Sequence, residues 1–357
     1  MRVVVCGAGA IGSAVAWFLT RRGAAVTVVE RCGVACAASG KSGGFLALDW
    51  CDGSPVEALA RRSFALHAEL SAACGDRWGY RRLDTLSVRT SPRPRNGPVL
   101  PWLGAQADVL GQIGSTATTA QVDPARFTRG LMDAAVAGGA RLVIGEVRGI
   151  ARAGDRVTAV AVDDGQVEAD AVVVAMGPWS VLACAWLPLP PVWGLKGNSL
   201  LLESPPGITP HALFVDVALA DGSAHSPEVF PRADGTTYVC GLSGEPPLPR
   251  DPAAVTPDDG AEARLLEMAA AFSPALAGAR VLAHQACYRP VARDGWPLVG
   301  RVKPLANAYV ATGHSVWGML NAPATGEALA ELILDGEART VDLRPLRPER
   351  LPPLTAA

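Results

Sequence analysis

Met1-Arg-Val-Val-Val-Cys-Gly-Ala-Gly-Ala-Ile-Gly12, continued through Thr27-Val-Val-Glu30, is the stretch on which the rest of the chain is organised. Val3, Val4 and Val5 form a β-branched run that reads as a fully buried strand, and the run breaks at Gly7. Ile11, Ala14, Val15, Phe18 and Leu19 then fall on one helical face. The spacing Gly7, Gly9, Gly12 is that of a dinucleotide turn. The first glycine permits the tight turn, the second admits a pyrophosphate, and the third lets the helix lie close to the strand. Ala8, Ala10 and Ile11 fill the remaining positions, and the phosphates are expected on the helix N-terminus. A second strand, Ala25 to Val29, ends in Glu30 at the distance expected of a ribose ligand. A carboxylate there repels a 2′-phosphate, which disfavours NADP and leaves NAD and FAD equally open.

The 357 residues have room for two domains or one large one. Charged residues are 18% of the chain, the formal net charge is −2 and no basic block occurs, so nucleic acid or an anionic membrane is not expected as a partner. No apolar run reaches the length of a membrane span. The chain enters its first strand at once, with no signal-peptide pattern, and Leu354-Thr-Ala-Ala is not a recognised address. The eight cysteines include no CxxC pair, which predicts a cytoplasmic protein with reduced thiols. Cys32, Cys36 and Cys51 have no histidine at zinc-site spacing, so no metal is expected.

Beyond Glu30, residues 31–44 form a loop of small residues suited to lie against a large ligand. Ser54-Pro-Val-Glu57 reads as N-cap, first-turn proline and capping-box glutamate of a helix to about Ala73. Tyr80 to Thr90 alternates like one strand, and Ser91 to Pro101 is a proline-punctuated loop. Asp123-Pro124 opens a helix stopped by Gly138-Gly139. Arg141 to Asp163 reads as a meander, and Ala169 to Gly177 as a buried parallel-type strand returning to the nucleotide-binding sheet. Leu187 to Pro252 reads as an antiparallel layer, with strands at Asn198–Leu202 and Thr237–Leu242. Thr256-Pro257 is expected to cap a helix through Phe272. Ala308 to Gly318 is strand then glycine turn, followed by a helix from Met319 to Leu334 closed by Gly336.

The glycine turn, Glu30, Ser39-Gly-Lys-Ser-Gly-Gly44, Ala175-Met-Gly-Pro-Trp-Ser180 and Thr312-Gly-His-Ser-Val-Trp-Gly…Ala322-Pro-Ala-Thr-Gly326 together give a resemblance. The chain resembles the FAD-dependent oxidoreductases of the D-amino acid oxidase type over almost its whole length. That resemblance implies an α/β fold in which a Rossmann-like FAD-binding domain carries a substrate domain built on a mixed or antiparallel sheet. The domains are then discontinuous: residues 1–78, 120–186 and 281–357 for FAD, and 79–119 with 187–280 for substrate. It implies FAD, an amine or amino acid substrate, and oxidation of the C–N bond by hydride transfer to flavin N5, with O2 as the expected electron acceptor. A dehydrogenase with another acceptor, and a flavin-binding assembly or trafficking factor with little turnover, remain open.

Cofactor contacts are expected from Gly7 to Gly12, Glu30, Arg31, Ser39, Gly40, Lys41, Ser42, Gly43, Gly44, Val147, Gly177 and Trp179. Cys287, Gly313, His314, Val316, Trp317, Gly318 and Met319 complete that set. The helix beginning near Gly318 is placed to offer amide donors to the negative end of a reduced flavin. Arg289-Pro290 matches the Arg-Pro that holds the substrate carboxylate in glycine oxidase-like sequences, and an arginine fork suits that task. Trp50 and Trp317 join Arg289 as substrate contacts, and Arg289 and His314 are the candidate catalytic residues. The residue before a proline is held extended, so Cys287 and Arg289 point to one side of their strand and Tyr288 to the other. In sarcosine oxidase-like members a cysteine in the corresponding strand carries the flavin covalently; Cys287 stands in that place here, and a buried inert thiol is the preferred reading, with covalent attachment the alternative. The oxygen-activating lysine of those members has no counterpart in Thr237 to Leu242, and Lys41 and Lys196 are the substitutes considered.

Overall fold

The computed structural model describes residues 1–75, 77–91 and 100–354. Most of the proline-punctuated loop at 91–101 and the last three residues of the chain lie outside the described residues.

Among the described residues a six-stranded sheet runs in the order Leu298–Arg301, Ala308–Thr312, Ala171–Val174, Arg2–Cys6, Ala25–Glu30, Arg141–Ile144. All its pairings are parallel except that of Leu298–Arg301. The first strand sits at its centre, where strand order reverses, and there successive side chains go to opposite faces. Val3 and Val5 enter one core cluster with Ala14 and Leu19, while Val4 and Cys6 enter another with Val172 and Val160. Both faces are buried, which is why the strand is a continuous apolar run. Each fully buried valine contributes about 1.5–3 kcal/mol.

The turn after Cys6 is set by close approach. A Cβ on Gly12 would stand 1.9 Å from the Gly7 carbonyl oxygen, so any larger residue would push the helix Ala10–Arg21 off the strand. That helix packs against Pro124–Ala137 and Gly318–Leu334. Asp123 caps Pro124–Ala137 by accepting from Arg126 N, as its sequence predicts.

The second large sheet has eight strands: Val281–Ala292, Val192–Glu203, Thr236–Gly244, Glu228–Pro231, Ala212–Ala218, Thr85–Thr90 and Ala107–Gly114 in order, with Ala224–His225 added to Ala212–Ala218. Its pairings are antiparallel apart from Ala212–Ala218 with Thr85–Thr90. One face packs Leu200, Leu202, Leu213 and Val239 under Leu265, Met268 and Phe272 of the helix Ala261–Phe272. Phe214, Phe230 and Tyr238 project from the other face, towards the six-stranded sheet.

Several local expectations are corrected. Val281–Ala292, expected with the FAD-binding segments, is hydrogen-bonded along its length to Val192–Glu203 in the eight-stranded sheet. Tyr80 to Thr90 is two strands in two sheets, Arg81–Arg82 and Thr85–Thr90, and Arg141–Ile144 leaves the meander to extend the parallel sheet. The helix expected from Ser54 begins at Glu57, because the Ser54 and Glu57 side chains fold back to accept from Val56 N and Gly53 N. The helix expected from Thr256 begins at Ala261, because Asp258 is drawn away to Lys196 and Asn198. Cys32 and Cys36 are joined in a disulfide rather than reduced, the loop after Glu30 bringing their Cα atoms to 6.4 Å; the other six cysteines are free. No helix among the described residues is long and apolar enough to cross a membrane.

Candidate active site

A cavity of about 430 Å³ lies between the two large sheets. At one end it is lined by Gly7, Gly9, Ala10, Ile11 and Glu30, and at the other by Trp50, Arg289 and Trp317. Between them lie Arg31, Ser39, Ser42, Gly43, Gly44, Val147, Gly177, Trp179 and Cys287, with His314, Val316, Gly318 and Met319 from the last turn. Ala8, Gly12, Gly40, Lys41 and Gly313 are not on its wall. Ala8 stands behind it, where its N–H donates to Glu30 Oε2 at 2.7 Å. Glu30 Oε1 accepts from Cys32 N at 3.0 Å, so both carboxylate oxygens are fixed, each with lone-pair capacity left over. The Cys32 and Cys36 sulfurs lie within 4.8 Å of that carboxylate but are bonded to each other.

Side chains along the middle of the cavity hold its shape. Ser39 Oγ accepts from Ala10 N at 2.8 Å, tying the small-residue loop to the first helical turn. Arg31 is turned to Glu146 at 3.2 Å, and Trp179 Nε1 donates to Pro249 O at 2.8 Å. Ser42 Oγ and His314 Nδ1 are buried with no hydrogen-bond partner among the described residues, and both residues line the cavity. Buried polar atoms in that state are rare in a satisfied core and fit a wall that hydrogen-bonds a ligand. The length of the cavity, the carboxylate at the glycine turn and these two atoms fit a dinucleotide cofactor.

His314 is 3% exposed, and burial pushes its pKa down to about 3, so the ring is neutral at physiological pH. Its Nε2 lies 3.1 Å from Thr325 Oγ1. A proton-transfer role at neutral pH does not suit it; a fixed polar atom on the wall does.

The far end is aromatic. Phe45 stacks on Phe230 with centroids 5.3 Å apart, Phe230 on Tyr238 at 6.1 Å, and Trp50 packs against Phe214 at 4.9 Å and Trp317 at 6.3 Å. Arg289 enters this end and donates to Ser243 Oγ. Cys287 shares its side of the strand, whereas Tyr288 turns away and donates to Pro247 O at 3.0 Å. Burial pushes the Cys287 thiol up, against the opposing pull of Arg289 and Lys41. Lys41 itself donates to Ala286 O at 3.2 Å. Lys196 is bound to Asp258 and is absent from the cavity wall.

The sequence reading missed Phe45, Phe214, Phe230, Tyr238, Ser243 and Glu228. The signal was alternation: Glu228 and Phe230, and Tyr238 and Cys240, are two apart and face one way. A register shift between Asn198 and Ser199 then changes the parity, so that Ser243 returns to the face of Cys240. The pairing partner, which the sequence does not show, sets that shift.

His67, which carried no sequence signal, helps to position the helix Gly318–Leu334 whose N-terminus reaches the cavity. Pro323 has no N–H, so the Met319 carbonyl loses its helical partner. His67 Nε2 lies 3.0 Å from Met319 O and 3.2 Å from Leu320 O, while Ser63 Oγ, one turn earlier, accepts from Ala324 N at 3.1 Å. With carbonyls as its partners, Nε2 must carry the proton.

A model of the family DAO, described as FAD dependent oxidoreductase, matches residues 2–332. An oxidoreductase of Schizosaccharomyces pombe is 29% identical, the match covering 97% of each chain. Glycine oxidase of Pseudomonas aeruginosa is 30% identical over 97% of this chain and 98% of its own. The crystal structure of glycine oxidase from Geobacillus kaustophilus superposes with a TM-score of 0.83 at 23% identity, covering 98% of this chain and 99% of that one. The chain thus belongs to the DAO family of FAD-dependent oxidoreductases.

Proposed function

We propose that the protein oxidises the C–N bond of an amino acid, or of another amine bearing a carboxylate, with O2 as electron acceptor. The observation that carries this reading is Arg289, a guanidinium inside an aromatic-walled cavity whose other end is a dinucleotide turn. A planar fork there can grip a carboxylate with two parallel hydrogen bonds. Bound FAD supplies the chemistry of accepting a hydride from the substrate carbon, which leaves an imine that water hydrolyses.

The chain binds and orients. Glu30 and the glycine turn would hold the adenosine side, Ser42 and His314 would satisfy their unpartnered atoms on the cofactor, and the N-terminus of Gly318–Leu334 would face negative charge on the flavin ring. Trp50, Phe214 and Trp317 would cover the substrate side chain and exclude water. A dehydrogenase passing electrons to another acceptor is the second reading, favoured by one observation: Lys196 is tied to Asp258 and Lys41 to a backbone carbonyl, so no lysine among the described residues stands on the wall.

The test is anaerobic addition of glycine and of both enantiomers of the common amino acids to the yellow holoprotein. Bleaching by one or more of them is expected. Failure of every one overturns the reading. Repeating the successful reaction in air separates the alternatives: hydrogen peroxide formed with turnover is the oxidase outcome, and bleaching that air does not reverse is the dehydrogenase outcome.

A further inference from the structure

The wall that carries Arg289 also carries an acid. Glu228 starts the strand Glu228–Pro231 and lines the cavity at its aromatic end, across from Cys240 in register. Its Oε2 accepts from the Cys240 thiol at 3.7 Å, a weak and neutral donor. Arg289 is directed to Ser243, but its charge still reaches Glu228 and favours the carboxylate. Ser243 and Cys240 lie on one face of the strand between them, so this end of the cavity presents one cation and one anion to whatever binds there.

That polarity matches a zwitterion. In an α-amino acid the ammonium is attached to the carbon next to the carboxylate, so an anion close to the carboxylate anchor lies within reach of the nitrogen. Hydride loss from the α-carbon needs the nitrogen lone pair, and an ammonium has none to give. Resting on the reading above, we propose that Glu228 is a further catalytic residue, which pairs with the α-ammonium of the substrate held by Arg289 and removes one of its protons.

The step balances. One N–H bond of the ammonium breaks, its proton goes to a Glu228 oxygen to form the carboxylic acid, and the electron pair stays on nitrogen. The α-carbon C–H bond then breaks and both its electrons leave with the hydride to the flavin, while the nitrogen lone pair closes the C=N bond. Burial raises the Glu228 carboxyl above its ordinary value, which suits it to hold a proton briefly. The groups facing it are few. Arg289 and Cys240 are nearest, Tyr238 precedes Cys240 on the same strand, and Cys287 and Lys41 stand behind on the Arg289 side. From Ala212–Ala218 its register partner is Phe214, and Asp216 is exposed and accepts from Ser226 Oγ at 3.1 Å.

The experiment is the anaerobic bleaching rate against pH, with the amino acid that reduces the wild-type holoprotein fastest, for wild type, Glu228→Gln and Glu228→Asp. For wild type the rate should fall only as Glu228 itself protonates, in acid. For Glu228→Gln the rate at pH 7 should drop about tenfold or more and climb about tenfold per unit of pH, until the free amine titrates at roughly 8–10. Glu228→Asp keeps the carboxylate, so its rate should be lower while its acid limb stays where it is in wild type. A Glu228→Gln profile superimposable on wild type, at equal flavin content, overturns the proposal while leaving the proposed oxidation intact. If Glu228→Gln does not hold flavin, a Glu228→Asp rate equal to wild type overturns it in the same way. Wild type that no amino acid bleaches removes both.

Discussion

Arg289 lies across Gly197, with its Nη2 3.4 Å from the place a Cβ would take on that glycine. Gly197 is the register partner of Cys287 on one side and Ser243 on the other. The guanidinium therefore crosses the middle strand where there is no side chain, and that passage brings it to Ser243.

Adding a branched side chain at that crossing should cost substrate affinity. Gly197→Val is expected to lift the guanidinium off its path and raise KM for the carboxylate substrate about 10–100-fold, the equivalent of about 1.4–2.7 kcal/mol. Arg289→Ala should cost about 2–5 kcal/mol in kcat/KM, because a buried carboxylate is left unpaired. Steady-state kinetics on flavin-replete protein check both; unchanged KM in the pair removes Arg289 from the substrate site.

Cys287 should not carry the flavin. Its thiol is pushed up by burial, and the thiol form is a poor nucleophile at neutral pH. Acid precipitation is expected to leave all the yellow colour in the supernatant, and Cys287→Ser should retain as much FAD as wild type. Colour in the pellet that vanishes in Cys287→Ser would show the bond.

Much of this was readable in advance, for one physical reason. The dinucleotide half is local: strand, turn and helix are consecutive, so Val3 to Glu30 could be placed from apolar periodicity and glycine spacing alone. Cys287 and Arg289 could be put on one side and Tyr288 on the other because alternation needs only a strand. The aromatic end was not readable as a unit: Phe230 and Tyr238 face each other across a short hairpin, but Phe45 comes from a strand paired with Thr119–Gln121 in another sheet, a partner distant in sequence. Ser243 joins them only through the register shift against Asn198. Edges of helices failed where a side chain was claimed elsewhere, as with Asp258, which binds Lys196 and Asn198 instead of starting a helix.

Glu30 should govern cofactor retention more than catalysis. Its two charge-assisted bonds from Ala8 N and Cys32 N fix the carboxylate at the turn, and a neutral amide cannot reproduce both acceptors. Glu30→Gln is expected to weaken FAD binding by about 1.5–3 kcal/mol, or roughly 10–150-fold in Kd. Flavin fluorescence titration of the apoprotein measures it. An unchanged Kd would mean that the carboxylate does not face the ribose.

Acid should loosen the protein well before its carboxylates titrate, through two buried histidines. Burial lowers His67 to about 4 and His314 to about 3, against an ordinary value of 6.5. Between the folded and unfolded values the unfolded chain binds more protons, so stability is full above pH 6.5 and falls as pH drops through the window below it. The loss approaches about 1.4 kcal/mol per pH unit for each histidine, or roughly 2 kcal/mol each at pH 5. Urea unfolding midpoints at pH 7 and pH 5 should show it directly. His67→Gln keeps a donor for Met319 O and removes the titration, so its midpoint should change less with pH than that of wild type. An equal slope in the variant would mean that His67 titrates in the fold as it does in the unfolded chain.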